Sequence, residues 1–362
     1  MIASVWRFRT TAMLWTLLLP TLLWAKVDDD ITLSGQWFLA YEIDHYDEDN
    51  FNEFKLKRGY VTVKKTFSPS FSARITQDIA VDREGDGEGD IEIRLKYGYL
   101  RYTHRQLGWF TDPWVEFGLV HRPWLDFEQK INPYRVQGKM YLERFGVLRS
   151  ADYGITAGAY LGGKLNDVRQ GKTGRGYPGK YGSLAFGVYN GGGYEALETN
   201  SNKLLEGRLS LRPFLNSVPG FQFSWTGSYG KGNAATEPDF HFNALFLSHQ
   251  TRHLTLTGLV FSGTGNVNGT LVDTSGISVG QSGWSLFMET SILSPRFRVF
   301  TRFDENDIAS NSIDWDTRNY IAGISYEFIP GSRLVLDYDY EIQNVPNATA
   351  DTIFELAIDV NY

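Results

Sequence analysis

The last ten residues of the chain, 353–362, read IFELAIDVNY and set the pattern by which the rest of the sequence is interpreted. Apolar side chains stand at every second position, namely Phe354, Leu356, Ile358, Val360 and Tyr362. Successive side chains of a β-strand point to opposite faces of the sheet. The stretch therefore predicts a strand with one apolar and one polar face.

The same two-residue period recurs along the chain in sixteen segments. They lie at 31–43, 54–67, 71–82, 91–104, 114–122, 152–163, 181–191, 203–214, 220–230, 239–250, 252–265, 282–294, 296–307, 316–329, 332–343 and 351–362. Many are longer than the roughly five or six residues usual in soluble sheets, and they match the about 9–11 residues of a tilted bilayer-crossing strand. We predict an all-β fold, a transmembrane antiparallel β-barrel of sixteen strands, with fourteen and eighteen as alternatives.

Short and long connections alternate between these segments. Tight turns stand at Ser68-Pro69-Ser70, Ser294-Pro295 and Pro330-Gly331. The longer polar connections lie at 44–53, 83–90, 123–151, 192–202, 231–238, 266–281, 308–315 and 344–350, while 105–113 and 164–180 are long at turn positions. This alternation is typical of barrels with short periplasmic turns and long extracellular loops. The longest connection, 123–151, follows the fifth strand.

Residues 1–25 have the features of a secretory signal peptide. Arg7 and Arg9 precede an apolar run from Ala12 to Trp24, which ends at Ala25. The run is shorter than the about 20 residues of a membrane-spanning helix, although a retained anchor is the alternative. We predict a signal peptide at 1–25, a barrel domain at 26–362 and localisation in the bacterial outer membrane.

The composition excludes several classes of function. The chain has no cysteine, which excludes disulfides, thiol catalysis and Cys-ligated metals. Its net charge of −7 argues against nucleic acid as a partner. Aromatic residues make up 15% of the chain, and several stand near predicted strand ends, among them Trp114, Trp284 and Phe328. Aromatic girdles at two membrane interfaces account for this placement better than a soluble β-sandwich or propeller does.

One region of the chain resembles a known family. Between Trp114 and Gly163 stand PWLD at 123–126, YRVQG at 134–138, LERF at 142–145 and ADYG at 151–154. Together with the aromatic terminal strand, these motifs resemble the Gram-negative porins related to the phosphate-selective porins O and P. The resemblance implies a sixteen-stranded barrel, often a homotrimer, whose long loop after the fifth strand folds inward and narrows the pore.

We assign six basic residues of this loop to a pore constriction that contacts solutes. They are Arg122, Lys130, Arg135, Lys139, Arg144 and Arg149. Basic groups at a constriction favour anions, and a guanidinium suits phosphate or carboxylate groups. Alternatively, these charges pair with Asp126, Glu128 and Glu143 or hold the loop to the wall. A net acidic chain without a dense lysine cluster leaves phosphate selectivity open.

The polar faces of the predicted strands would line a water-filled lumen. Its basic wall residues are Arg74, Arg94, Lys96, Arg296, Arg298 and Arg302, and acids such as Asp337 and Asp339 stand among them. Mixed charge of this kind is typical of a hydrated barrel interior.

No metal or cofactor is expected. The acidic connection after Asp82 fails the EF-hand pattern, because Ile93 stands where a bidentate Glu is required, so a solvated loop near lipopolysaccharide phosphates is favoured. Gly171-Lys172-Thr173 lacks the earlier glycine of a phosphate-binding loop, and the 164–180 connection is interpreted as a solvated basic turn.

The sequence therefore predicts a channel for passive diffusion of small hydrophilic solutes, with a weak preference for anions. Its expected partners are outer-membrane lipid, lipopolysaccharide and the solutes, with a homotrimer as the assembly. Two other classes stay open: a barrel enzyme of the phospholipase or protease type, and a non-conducting structural or adhesin barrel. An enzyme requires a positioned nucleophile and base or paired carboxylates, and the sequence carries no recognisable motif for either.

Overall fold

The structure, a computed structural model, describes residues 30–46, 49–83, 85–166, 173, 177–309, 314–344 and 350–362. The predicted signal peptide at 1–25 lies outside the described residues. Within them, seventeen strands form one sheet, and sixteen of these make up its closed wall.

The strand bounds follow the predicted segments. The strands are Ile31–Tyr46 (β1), Asp49–Thr66 (β2), Phe71–Val81 (β3), Ile91–Thr103 (β4), Gln106–Leu107 (β5), Phe110–His121 (β6), Ala151–Leu161 (β7), Gly182–Tyr189 (β8), Leu204–Leu211 (β9), Phe221–Lys231 (β10), Asp239–Gln250 (β11), Leu254–Thr264 (β12), Gly280–Ser291 (β13), Phe297–Ala309 (β14), Asp314–Ile329 (β15), Ser332–Asn344 (β16) and Ala350–Asn361 (β17). The two-residue β5 pairs with β6 alone and lies in the 104–109 connection.

The sheet closes on itself as an antiparallel barrel. Consecutive wall strands pair antiparallel, and β1 pairs with β2 on one side and with β17 on the other, from Gln36 opposite Asn361 to Tyr46 opposite Asp351. Closure leaves no open sheet edge, as a spanning sheet in lipid requires. The all-β barrel with sixteen wall strands is confirmed, and the alternatives of fourteen and eighteen are wrong.

The alternation of the last strand separates an outer from an inner face. Phe354 and Leu356 are 43% and 42% exposed, whereas Glu355 between them is 1% exposed and Asp359 is 2% exposed. The apolar side chains therefore point outward and the polar ones inward. Exposed apolar residues recur around the wall, among them Ile93, Phe117, Phe186, Val260 and Leu286. A continuous apolar exterior of this size suits a lipid environment.

Within the described residues, helical structure is confined to connections. A 3-10 turn spans Gly85–Gly87, and two short helices, Pro123–Glu128 (α1) and Tyr141–Arg144 (α2), lie between β6 and β7. Pro123 opens α1, where its missing N–H costs no helical hydrogen bond. No helix in the described part of the chain is long and apolar enough to cross a membrane.

Candidate functional site: the lumen and its constriction

Residues 122–150, here called the constriction segment, lie inside the barrel. The Tyr134 hydroxyl is 2.8 Å from Ser325 Oγ on β15, and Arg144 Nη1 donates to Asp339 Oδ2 on β16 at 2.9 Å. The Tyr141 hydroxyl donates to the Glu305 carbonyl on β14 at 2.6 Å. The segment between β6 and β7 therefore reaches across to the opposite wall, as the sequence predicts.

Apolar packing fills one side of the lumen. Trp124, Phe127 and Leu142 of the constriction segment are fully buried against Phe242 and Phe246 on the inner face of β11. The Trp124 and Phe246 rings meet edge to face, with centroids 5.0 Å apart. Each large apolar side chain buried in this way contributes about 2–3 kcal/mol. The constriction segment is thus held by a core like that of a soluble domain.

This core corrects the expectation that every inner face is polar. On β11 the inward residues are Phe240, Phe242, Ala244 and Phe246, while His241 and Asn243 point outward. The inner face is apolar here because protein covers it instead of water. The open lumen is consequently displaced toward the opposite wall.

Arg122 lies behind this core and away from the lumen. Its side chain is completely buried, and Nη2 is 2.6 Å from Glu206 Oε2 on β9. Glu206 Oε1 also accepts the Trp124 backbone N–H at 3.1 Å, so the carboxylate joins the start of α1 to the wall. The assignment of Arg122 to a solute-contacting constriction is therefore wrong, because a buried ion pair is closed to solutes.

The other five basic residues of the constriction segment are spread along it. Arg135 Nη2 is 3.3 Å from Glu143 and remains partly exposed, and Arg144 is held by Asp339. Lys130 pairs with Asp126 at 2.8 Å with half of its side chain exposed. Lys139 is exposed, and Arg149 is partly exposed. The six assigned residues thus do not form a single ring.

The predicted basic wall residues divide into three groups. Arg74, Arg94 and Lys96 lie on the inner faces of β3 and β4 and line the open lumen. Arg298 and Arg302 lie on β14, and each pairs with an acid, Arg298 with Glu289 at 3.1 Å and Arg302 with Asp304 at 2.6 Å. Arg296 lies in the turn before β14 and is exposed, outside the strand that would place it on the lumen wall.

Two cavities of the lumen lie along the wall of β2, β3 and β4 in the described part of the barrel. One, of about 300 Å³, lies toward the end of the barrel that carries Tyr362. The other, of about 630 Å³, lies toward the opposite end. The charged residues of the first are Arg74, Lys96, Asp126 and Arg135, with His121 beside them. Those of the second are Lys55, Lys57, Arg58, Asp82, Arg83, Glu92, Arg94 and Glu195. Basic groups outnumber acidic groups in both.

Lys57 and Arg58 are lumen residues that simple alternation misses. A β-bulge at Lys57 shifts the register of β2 against β1. The side chains of the adjacent residues Lys57 and Arg58 therefore both point inward. Lys57 Nζ donates to the Gln137 carbonyl at 3.1 Å, and Arg58 Nη1 donates to Asp78 Oδ2 at 2.9 Å. The sequence does carry a signal, because the apolar positions change from even (Phe54, Leu56) to odd numbers (Val61, Val63) at this point.

Two further connections also enter the barrel. Tyr194, between β8 and β9, donates its hydroxyl to Asp78 Oδ2 on β3 at 2.7 Å. Tyr177 is buried beneath α1, where its hydroxyl donates to Asp126. Both contacts join residues that are distant in the sequence.

Of the basic residues predicted to be solvated in the 164–180 connection, Lys164 is 46% exposed and pairs with Asp112, and Lys180 is partly exposed. Arg169, Lys172 and Arg175 lie outside the described residues.

Among the described residues, no three His, Asp or Glu side chains are grouped closely enough to hold a metal ion.

Comparison with known proteins identifies the fold. No family model and no curated protein sequence matches the chain. A loop-deletion mutant of OmpT, an outer membrane protein of Vibrio cholerae, is 12% identical with a TM-score of 0.61 and covers 92% of this chain and 100% of its own. The anion-selective porin from Comamonas acidovorans is 10% identical with a TM-score of 0.59, over 92% and 99% of the two chains. Salmonella typhi OmpF with daunomycin is 12% identical with a TM-score of 0.61, over 91% and 97%. The chain shares the barrel fold of these proteins.

Proposed function

We propose that this protein is a porin of the bacterial outer membrane, which lets small hydrophilic solutes diffuse passively through a water-filled channel. The apolar exterior supports insertion into lipid, and the polar lumen beside the constriction segment supports a hydrated path. The proposal is also supported by the barrel fold that the chain shares with outer-membrane proteins and porins.

The observation that carries the proposal is the cation-lined open side of the lumen. Arg135 of the constriction segment and Lys96 of β4 line the same cavity, and Lys57, Arg58 and Arg94 line the next one. Basic groups at close quarters lower the energy of anions in a pore and raise that of cations. We infer a weak preference for small anions that carry carboxylate or phosphate groups, with no special selectivity for phosphate.

Liposome swelling with a series of sized solutes tests this proposal. Vesicles that contain the purified protein should swell quickly in small sugars and small organic anions, and progressively more slowly as the solute grows. Vesicles without protein serve as the control. A protein that folds in the vesicles but admits none of these solutes would instead be a structural barrel.

We further propose a homotrimer surrounded by lipid and lipopolysaccharide. The exposed apolar exterior offers surface for contacts between copies in the membrane. Chemical cross-linking of the protein in native membranes should give dimer and trimer bands, and a ladder that ends at the monomer would contradict the trimer.

A further inference from the structure

The connection between β8 and β9, residues 190–203, is a second segment that places side chains in the lumen, namely Tyr194 and Glu195 near its start. Its start is fixed to β7, since the buried Asp152 accepts the Gly191 backbone N–H at 2.9 Å. Gly193 follows with a φ of +86°, a conformation that favours glycine, and lies against the Arg149 side chain of the constriction segment. The two segments therefore touch.

The far end of this second segment is fixed as well. The Asn233 amide oxygen accepts the Thr199 N–H at 2.9 Å, and the Asn233 amide nitrogen donates to the Leu197 carbonyl at 2.8 Å. Asn200 donates to the Gly232 carbonyl at 2.9 Å. Hydrogen bonds at both ends hold the middle of the segment in one position.

Tyr194 in the middle of the segment reaches across the lumen to another part of the wall. Its hydroxyl bonds Asp78 on β3, which also accepts Arg58, and Lys96 Nζ lies 5.5 Å from its ring centre. The next residue, Glu195, is 3.7 Å from Arg94 on β4. Around the wall, β6 and β7 separate β4 from β8. The segment thus cuts off one sector of the lumen.

We propose that Tyr194 sets the pore size together with Arg135, so that two segments and not one form the narrowest passage. Lys96 and Arg135 line the cavity toward Tyr362, while Arg58 and Glu195 line the cavity toward the opposite end. The Tyr194 ring lies 5.5 Å from Lys96 Nζ of the first group, and its hydroxyl bonds Asp78, which also accepts Arg58 of the second group. This side chain therefore links residues of both cavities. This inference rests on the proposed function, because it concerns the path that solutes take.

The first test removes the ring. Tyr194→Ala should raise the single-channel conductance by about a factor of two and admit larger polyethylene glycols, since it widens the passage. Leu197→Ala is the matched control, because Leu197 lies on the same segment, is 89% exposed and lines neither cavity. Its conductance should equal that of the wild type.

The second test compares the current through one variant before and after a reagent is added, so its result does not depend on the folding of Tyr194→Ala. The chain contains no cysteine, so Tyr194→Cys provides a unique thiol. A cationic methanethiosulfonate reagent should lower the current through Tyr194→Cys channels and leave Leu197→Cys channels unchanged.

The outcomes separate this inference from the proposed function. Conducting wild-type channels with an unchanged conductance in Tyr194→Ala and no effect of thiol modification at Tyr194→Cys would overturn the role of Tyr194. Wild-type protein that inserts without conducting would overturn the proposed function itself.

Discussion

Arg135 is a basic residue of the constriction segment that lines the cavity toward Tyr362. It lines the cavity with Lys96 and Arg74, and its partner Glu143 compensates only part of the local positive charge. Arg318 offers a comparison, since it also pairs with an acid but lies on the exposed exterior of β15.

Arg135→Gln should therefore lower the anion-to-cation permeability ratio, by about two-fold, because it removes one fixed positive charge from the passage. Reversal potentials in a KCl gradient measure the ratio. Arg318→Gln should keep the wild-type ratio, and equal ratios in all three proteins would contradict a role for Arg135.

The buried pair of Arg122 and Glu206 makes a second prediction at the residue scale. Removal of one partner leaves the other charged and unpaired inside protein, at a cost of about 3–5 kcal/mol. Glu206→Gln should thus lower the free energy of unfolding, measured by urea denaturation in detergent micelles. Lys231→Ala breaks an exposed pair with Asp239 and should leave the free energy of unfolding nearly unchanged. Similar losses in both variants would contradict this account of Arg122.

Glu128 in α1 predicts a dependence of stability on pH. Burial raises its pKa to about 7, with Asp304 and Glu143 adding repulsion and Arg302 opposing the shift. Below about pH 4 the carboxyl group is neutral in the folded and unfolded states, and above that the unfolded state ionises first. The titration of Glu128 should therefore lower the free energy of unfolding by about 3 kcal/mol between pH 4 and 7 and contribute no further change above that range.

Glu128→Gln isolates this contribution. The variant has no titrating carboxyl group at this position, so its unfolding free energy should fall less than that of the wild type over the same pH range. Identical slopes for the two proteins between pH 4 and 7 would show that Glu128 does not titrate there.

At the level of elements, strands were easier to predict than what they enclose. Alternation located all sixteen wall strands, because lipid on one side and water on the other impose a period of two. The rule failed on β11, where protein covers the inner face, and at Lys57, where a bulge changes the phase. At both places the constriction segment, and not lipid or water, contacts the inner face of the strand.

The constriction segment should behave as a folded element and not as a loose loop. Phe127→Ala removes a fully buried ring and should cost about 3–5 kcal/mol, with noisier single-channel currents as the segment loosens. Phe186→Ala alters a ring that is 59% exposed on the exterior and should leave the current noise unchanged. Quiet currents from Phe127→Ala channels would contradict the packed core.

At the scale of the whole molecule, the site depends on contacts between residues distant in the sequence. The order of the predicted strands and connections placed the inward segment after the fifth strand. The sequence did not predict that Tyr194 pairs with Asp78 or that Arg122 pairs with Glu206. Those pairs arise only when the sheet closes and the connections fold inside. The length and order of the connections therefore located the inward segment, and charge counts along it did not show which charges remain open to water.

The most direct test of the account is the reversal potential of single wild-type channels in a planar bilayer with a tenfold KCl gradient. An apolar exterior and a cation-lined lumen predict stepwise, ohmic currents that reverse on the anion-selective side of zero. Clear cation selectivity would contradict the proposed lining of the passage. A protein that inserts as a barrel but passes no current would contradict the channel itself.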